Sequence, residues 1–338
     1  MTTPTNNRLG KWKIAFLIFL IAGTIYILRN NKPYTTDRGN IFGTSYSITY
    51  QSDKKLHEEI RKTLSDVDNS LSTFNRNSLI TAVNENRDTI ADEMFTTVFN
   101  LAREISAKTD GAFDITVAPL VNAWGFGFRK GILPDSAAVD SLRRHIGYST
   151  VALKGNKIEK LHKETMLDCS AIAKGFGCDA VAATLDRHGI ENYMVEIGGE
   201  VVAKGVNDKG GKWRIGISKP TDNPTASSNE LHKIIIITGK SMATSGNYRN
   251  YRIENGKKLA HTIDPRTGYP VNHNLLSATV IADDCATADA YATAFMVVGM
   301  EKAMEICREN SGIEAYFIYS DENGTLKNAE TEGMKRYY

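Results

Sequence analysis

The sequence predicts an α+β fold, with antiparallel sheets packed against helices, behind an apolar N-terminal segment. Stretches with strand periodicity and stretches with helix periodicity follow one another without a regular strand–helix–strand beat, which argues against a doubly wound parallel sheet. Hydrophobic residues make up 41% of the 338 positions and charged residues 24%, enough for one sizeable core in an ordinary globular body. No internal repeat or low-complexity segment interrupts that body.

The chain opens with RLGKWK and then Ile14 to Leu28, fifteen residues without a charge, closed by Arg29. This run, extended by Trp12 and snorkelling lysines, predicts a signal anchor or signal peptide over 1–29. The expectation is an uncleaved anchor with residues 30–39 as linker and the body, 40–338, on the outer face of a membrane. In IFGTSYSITY (41–50), Phe42, Thr44, Tyr46, Ile48 and Tyr50 alternate as one face of a strand. Leu56, Ile60, Leu64, Val67 and Leu71 recur at helical spacing over 53–71, and 91–110 reads as a helix with an acidic start and Gly111 at its end. Gly155 and Asn156 form the turn of a hairpin. A helix follows to about Arg187, then strands at 193–197, 213–218, 233–238 and 277–282. Helices at 285–298 and 300–310 and a strand at 313–319 complete the list, and 219–230 reads as a flexible loop.

Several function classes fall away. The net charge is +2 and no basic stripe is interleaved with aromatics, so nucleic acid is a poor partner. Cys169, Cys178, Cys285 and Cys307 lack both the density of a disulfide framework and any CxxC spacing, and read as small buried hydrophobes. GFGFRKG (125–131) fails the dinucleotide glycine pattern, GVNDKGGKW (205–213) fails the P-loop, and neither HExxH nor GxSxG occurs.

What remains is a set of small-residue motifs. DCSAIAKGFGCDA (168–180) places Lys174 alone among small residues, where a backbone could approach an anion closely. Its alternative is a plain helix start with Asp168 or Ser170 as N-cap. Asp289 and Thr293 lie four apart in an alanine-rich helix, so carboxylate and hydroxyl share a face. As hard oxygen donors they suit Mg2+, which also takes substrate phosphates. The alternative is that Asp289 caps its helix.

GTSYSI, LSTFN, DGAFDITVAPLVNAWGFG, DCSAIAKGFGCD, VEIGGE, ATSGNY, HTIDPRTG and ADAYATAF occur in this order from about Gly43 to beyond Gly299. In them the chain resembles the ApbE family, the FAD:protein FMN transferases. That resemblance implies Mg2+-dependent cleavage of FAD, attachment of FMN through a phosphoester to a threonine hydroxyl of a partner protein, and release of AMP. It implies that Asp289, Thr293 and the backbone carbonyl of Ala171 bind the metal and that Asp168 and Lys174 contact FAD. Phe42, Phe74, Ala112, Phe113, Asp114 and Ile263 would line the flavin and adenine pockets. Phe74 stands where relatives often carry tyrosine, and Phe42 where methionine is frequent. The resemblance also points to an acceptor in a membrane redox complex, such as the Na+-pumping NADH:quinone oxidoreductase, and to a periplasmic catalytic domain on the bacterial inner membrane. His261, beside Asp264 and Arg266, is the candidate general base by its chemistry and neighbourhood. Two other readings keep the same site: an FAD pyrophosphatase giving free FMN and AMP, and a flavin-binding protein without catalysis.

Overall fold

A computed structural model describes residues 8–30, 32–87, 89–128, 133–220, 231–247, 251–254 and 257–338. After helix α1 (Arg8–Asn30), strands β1 (Tyr34–Ile41) and β2 (Thr44–Gln51) form a hairpin. Helices α2 (His57–Leu71), α3 (Leu79–Asn84), α4 (Glu93–Lys108), α5 (Ala118–Ala123) and α6 (Ser136–Arg143) follow. A small hairpin, β3 (Val151–Lys154) with β4 (Lys157–Lys160), leads to α7 (Ala173–Arg187). Next come β5 (Tyr193–Ile197), β6 (Glu200–Lys204), β7 (Trp213–Ser218), β8 (Leu231–Ile237) and β9 (Lys240–Gly246). Strands β10 (Tyr251–Glu254), β11 (Lys257–Ala260) and β12 (Leu275–Ala282) precede α8 (Cys285–Val298) and α9 (Met300–Glu309). Strands β13 (Glu314–Ser320) and β14 (Leu326–Glu330) follow, and then a 3-10 helix over Glu332–Tyr337.

The central sheet has eight strands in the order β1-β2-β5-β6-β9-β12-β13-β14, and every pairing in it is antiparallel. Alternation splits its side chains between two cores. Val195 and Ile197 of β5 pack with Val181 and Leu185 of α7, while Ala243 of β9 and Ala278 and Val280 of β12 pack with Tyr291 and Phe295 of α8. The opposite face, through Met242, Ile281 and Tyr316, is covered by Trp213, Ile217, Ile235 and Ile237 of the separate β7–β8 hairpin. Sheathed on both sides, β12 is buried at every position but Leu276, which explains why LLSATVIA carries no charged residue.

The α+β expectation holds, and the predicted helices at 53–71, 91–110, 285–298 and 300–310 all form, trimmed by a few residues at their ends. The strand expected over 41–50 is instead broken at Phe42 and Gly43, both in the left-handed region (φ 51° and 72°), and the preceding residues, assigned to a linker, form edge strand β1. Nearly all of the 219–230 loop lies outside the described residues.

The membrane segment is corrected. Among the described residues no helix is long and apolar enough to cross a membrane. The physical reason is length: Arg8, Lys11, Lys13 and Arg29 lie in α1 and leave fifteen uncharged residues, about 22 Å of helix against a hydrocarbon core of about 30 Å. The inner-membrane location, the periplasmic placement that followed from it and the anchoring of the chain to a membrane fall with it.

Helices α7 and α8 meet closely at Gly175, where a Cβ would lie 2.3 Å from the Cys285 carbonyl oxygen. Backbone cannot yield there as a flexible side chain would. We expect Gly175→Ala to destabilise the protein by about 1–3 kcal/mol, read as a lower denaturant midpoint at unchanged slope.

Candidate functional site

Helix α7 starts without a side-chain cap. Its N-cap is Ile172, and Asp168, one of the two residues the sequence offered as cap, instead folds onto Ser170, accepting from its backbone N–H at 2.8 Å and its hydroxyl at 2.5 Å. Burial pushes the Asp168 carboxyl up, against the pull of these bonds. Ala171 and Lys174, which flank this helix start, line a cavity. Helix α8 is capped by Asp284, which accepts from Thr287 N–H, so the capping alternative for Asp289 is excluded. Asp289 lies one turn further on, 2% exposed, with Oδ2 accepting from Gly175 N–H at 3.0 Å.

Lys174 joins the two helices to the sheet. Its Nζ lies 3.7 Å from Asp289 Oδ1 and 3.4 Å from Oε1 of Glu200, the first residue of β6. Burial alone would lower the ammonium pKa, but the carboxylates of Asp289 and Glu200 outweigh it and raise the value above that of free lysine. Burial pushes Glu200 up to about 8, against the lowering influence of Lys174.

Two cavities meet here. One, of about 520 Å³, is lined by Asp114, Asp168, Lys174, His261, Asp289 and Thr293 among others. The second, of about 690 Å³, runs between α2 and the start of α7 past Phe42, Asp68 and Ser72. Phe74, Ser170 and Lys174 belong to both walls. Each volume lies within the range of small-molecule sites.

Every residue singled out from the sequence lines one of these spaces. Ala112, Phe113, Asp114, Ala171 and Ile263 line the first and Phe42 the second. Asp114 accepts from the Thr116 N–H and hydroxyl, which ties its own loop, and burial raises its pKa. Phe74 is 70% exposed and meets Phe128 edge to face, while Phe42 lies over α7 where Gly177 leaves room for its ring. His261 sets its ring edge to face with Phe126 at 6.4 Å. Thr293 has its hydroxyl 3.1 Å from that of Ser245.

Among the described residues no three His, Cys, Asp or Glu side chains cluster as a metal site. A cation here would therefore rest on the mixed donor set of Asp289 carboxylate, Thr293 hydroxyl and Ala171 carbonyl, all on one cavity wall. Few, hard, protein-supplied oxygens suit Mg2+, which keeps several waters. Two residues of the site had no role assigned from sequence: Glu200 and Ser245. Both stood in quoted motifs, VEIGGE and ATSGNY, and the signal for Glu200 was a carboxylate directly after two glycines at a strand end.

An α+β body with a lysine between buried carboxylates at the junction of two cavities defines a class of enzyme, the flavin transferases, once relatives are compared. The ApbE family profile matches residues 42–317. A protein of Haemophilus influenzae described as FAD:protein FMN transferase is 39% identical over 316 residues, covering 88% of this chain and 90% of its own length. The solved structure of flavin transferase ApbE from Vibrio cholerae matches with a TM-score of 0.81 and 34% identity, over 90% of this chain and 99% of that one. A histidine-to-glycine mutant of that enzyme matches with the same TM-score at 36% identity, over 90% of this chain and all of that one. The chain belongs to the ApbE family. It is a transferase that uses FAD as substrate and passes flavin to a protein acceptor.

Proposed function

We propose that the protein transfers FMN from FAD to a threonine hydroxyl of its acceptor, with Mg2+, through a phosphoester bond and with release of AMP. The observation that carries this reading is the placement of Lys174 and Asp289 where the two cavities join. A dinucleotide has two bulky ends and a diphosphate between them. Two chambers joined at an ammonium match that shape and charge.

In this reading Asp168 and Lys174 contact FAD, and Phe42, Phe74, Ala112, Phe113, Asp114 and Ile263 line its flavin and adenine ends. Asp289, Thr293 and the Ala171 carbonyl hold the Mg2+, which supplies charge stabilisation at the diphosphate when bound. The acceptor threonine oxygen attacks the phosphorus on the FMN side. Its bond to the bridging oxygen breaks, and the electron pair leaves with AMP. His261 takes the hydroxyl proton. Lys174 offsets the negative charge that builds on the departing phosphate.

Incubation with FAD, Mg2+ and a threonine-bearing acceptor should add one FMN mass to the acceptor and release one AMP. Chelator should abolish both, and Asp289→Ala should lose most of the transfer at any ordinary Mg2+ concentration. AMP release without any acceptor mass gain would instead make the protein a pyrophosphatase. His261→Ala should lower kcat by about 10²–10⁴-fold and remove the acidic limb of the pH–rate profile; an unchanged profile would assign the base elsewhere.

A further inference from the structure

Glu200 has no part in the reaction just described, and the fold gains little by burying it. It is 3% exposed. A carboxylate kept from water for structural reasons has its oxygens hydrogen-bonded. Here Oε1 approaches Lys174 Nζ, and Oε2 has no hydrogen-bond partner among the described residues. The chain nonetheless places it tightly. Gly198 and Gly199, at φ 65° and 109°, turn β5 into β6, and a Cβ on Gly198 would lie 2.8 Å from Thr44 Cγ2 and 3.4 Å from Glu200 Oε2. Glycine at 198 thus lets this tight turn pack against Thr44, and Glu200, next in the chain after Gly199, lines the cavity together with Asp289.

We propose that Glu200 is a positioning residue for flavin transfer, holding the Lys174 ammonium at the junction of the cavities and off Asp289. The ammonium is shared between two carboxylates at 3.4 and 3.7 Å, paired fully with neither. With Glu200 gone, attraction in a low-dielectric wall draws the ammonium onto Asp289 alone. That withdraws the cation from the diphosphate and occupies the carboxylate oxygen needed by the metal. The proposal rests on the roles given to Lys174 and Asp289 above.

The first test needs no turnover. In chelator, flavin fluorescence titration compares FAD, which has the diphosphate, with riboflavin, which lacks it. Glu200→Ala should weaken FAD several-fold and leave riboflavin unchanged, whereas a merely structural defect moves both, and equal loss of the two overturns the proposal. The second is a double-mutant cycle on kcat/KM with Mg2+ and acceptor. Glu200→Ala should lose about 10- to 100-fold, as small misplacements of a charged group do, but should cost nothing further in a Lys174→Ala background. Additive losses, or wild-type activity of Glu200→Ala, refute it. Should the alanine variant not fold, Glu200→Gln, which keeps the volume but not the charge, carries the same cycle: it should lose activity several-fold alone and nothing further in a Lys174→Ala background, and additive losses or wild-type activity again refute the proposal. Failure of the wild type to flavinylate any acceptor would count against the proposed function, not against this role, which the FAD–riboflavin comparison still decides.

Discussion

An ammonium held between two buried carboxylates is the constraint on which the site depends. Lys174, Glu200 and Asp289 come from α7, β6 and α8, three elements far apart in the chain. Two acids and one base leave the group with one net negative charge when all are ionised. Such a wall is costly to bury by itself. A further positive charge beside it would bring the group to neutrality.

The sheet and helices explain how that contact is made reproducible. Alternation in β5, β9 and β12 sends one set of apolar side chains under α7 and α8, and this packing fixes both helices on one face of the sheet. The β7–β8 hairpin seals the other face and contributes Gly216, Ile217 and Ser218 to the cavity wall. Lys174, Glu200 and Asp289 therefore sit on regular elements, and the loops around His261 and Asp114 complete the enclosure.

Much of this was legible in the sequence because it follows from local rules. Helical spacing of Leu56, Ile60, Leu64, Val67 and Leu71 located α2, and the four-residue interval located the shared face of Asp289 and Thr293. The break at Phe42–Gly43 was not legible, because a phenylalanine at positive φ has no local signature and IFGTSYSITY alternates cleanly across it. The apolar N-terminal run misled by composition: its residues are membrane-like, but its uncharged length is short of a bilayer. Lys174 stood out as a lone cation, yet its partner Glu200 lies 26 positions away and meets it only through the Gly198–Gly199 turn, which periodicity does not report. The absence of a cap on α7 was equally hidden, since Asp168 and Ser170 look like capping residues until they are seen bonded to each other.

The bare backbone contact at Gly175 has a bearing on heat tolerance. Because the helix carrying the lysine and the helix carrying the acid abut there, and the Gly175 N–H bonds Asp289 across the contact, the two helices are coupled in place. Thermal softening of the centre alone is thereby discouraged: the reactive geometry survives until the surrounding layer gives way, and competence and compactness should vanish at a common temperature.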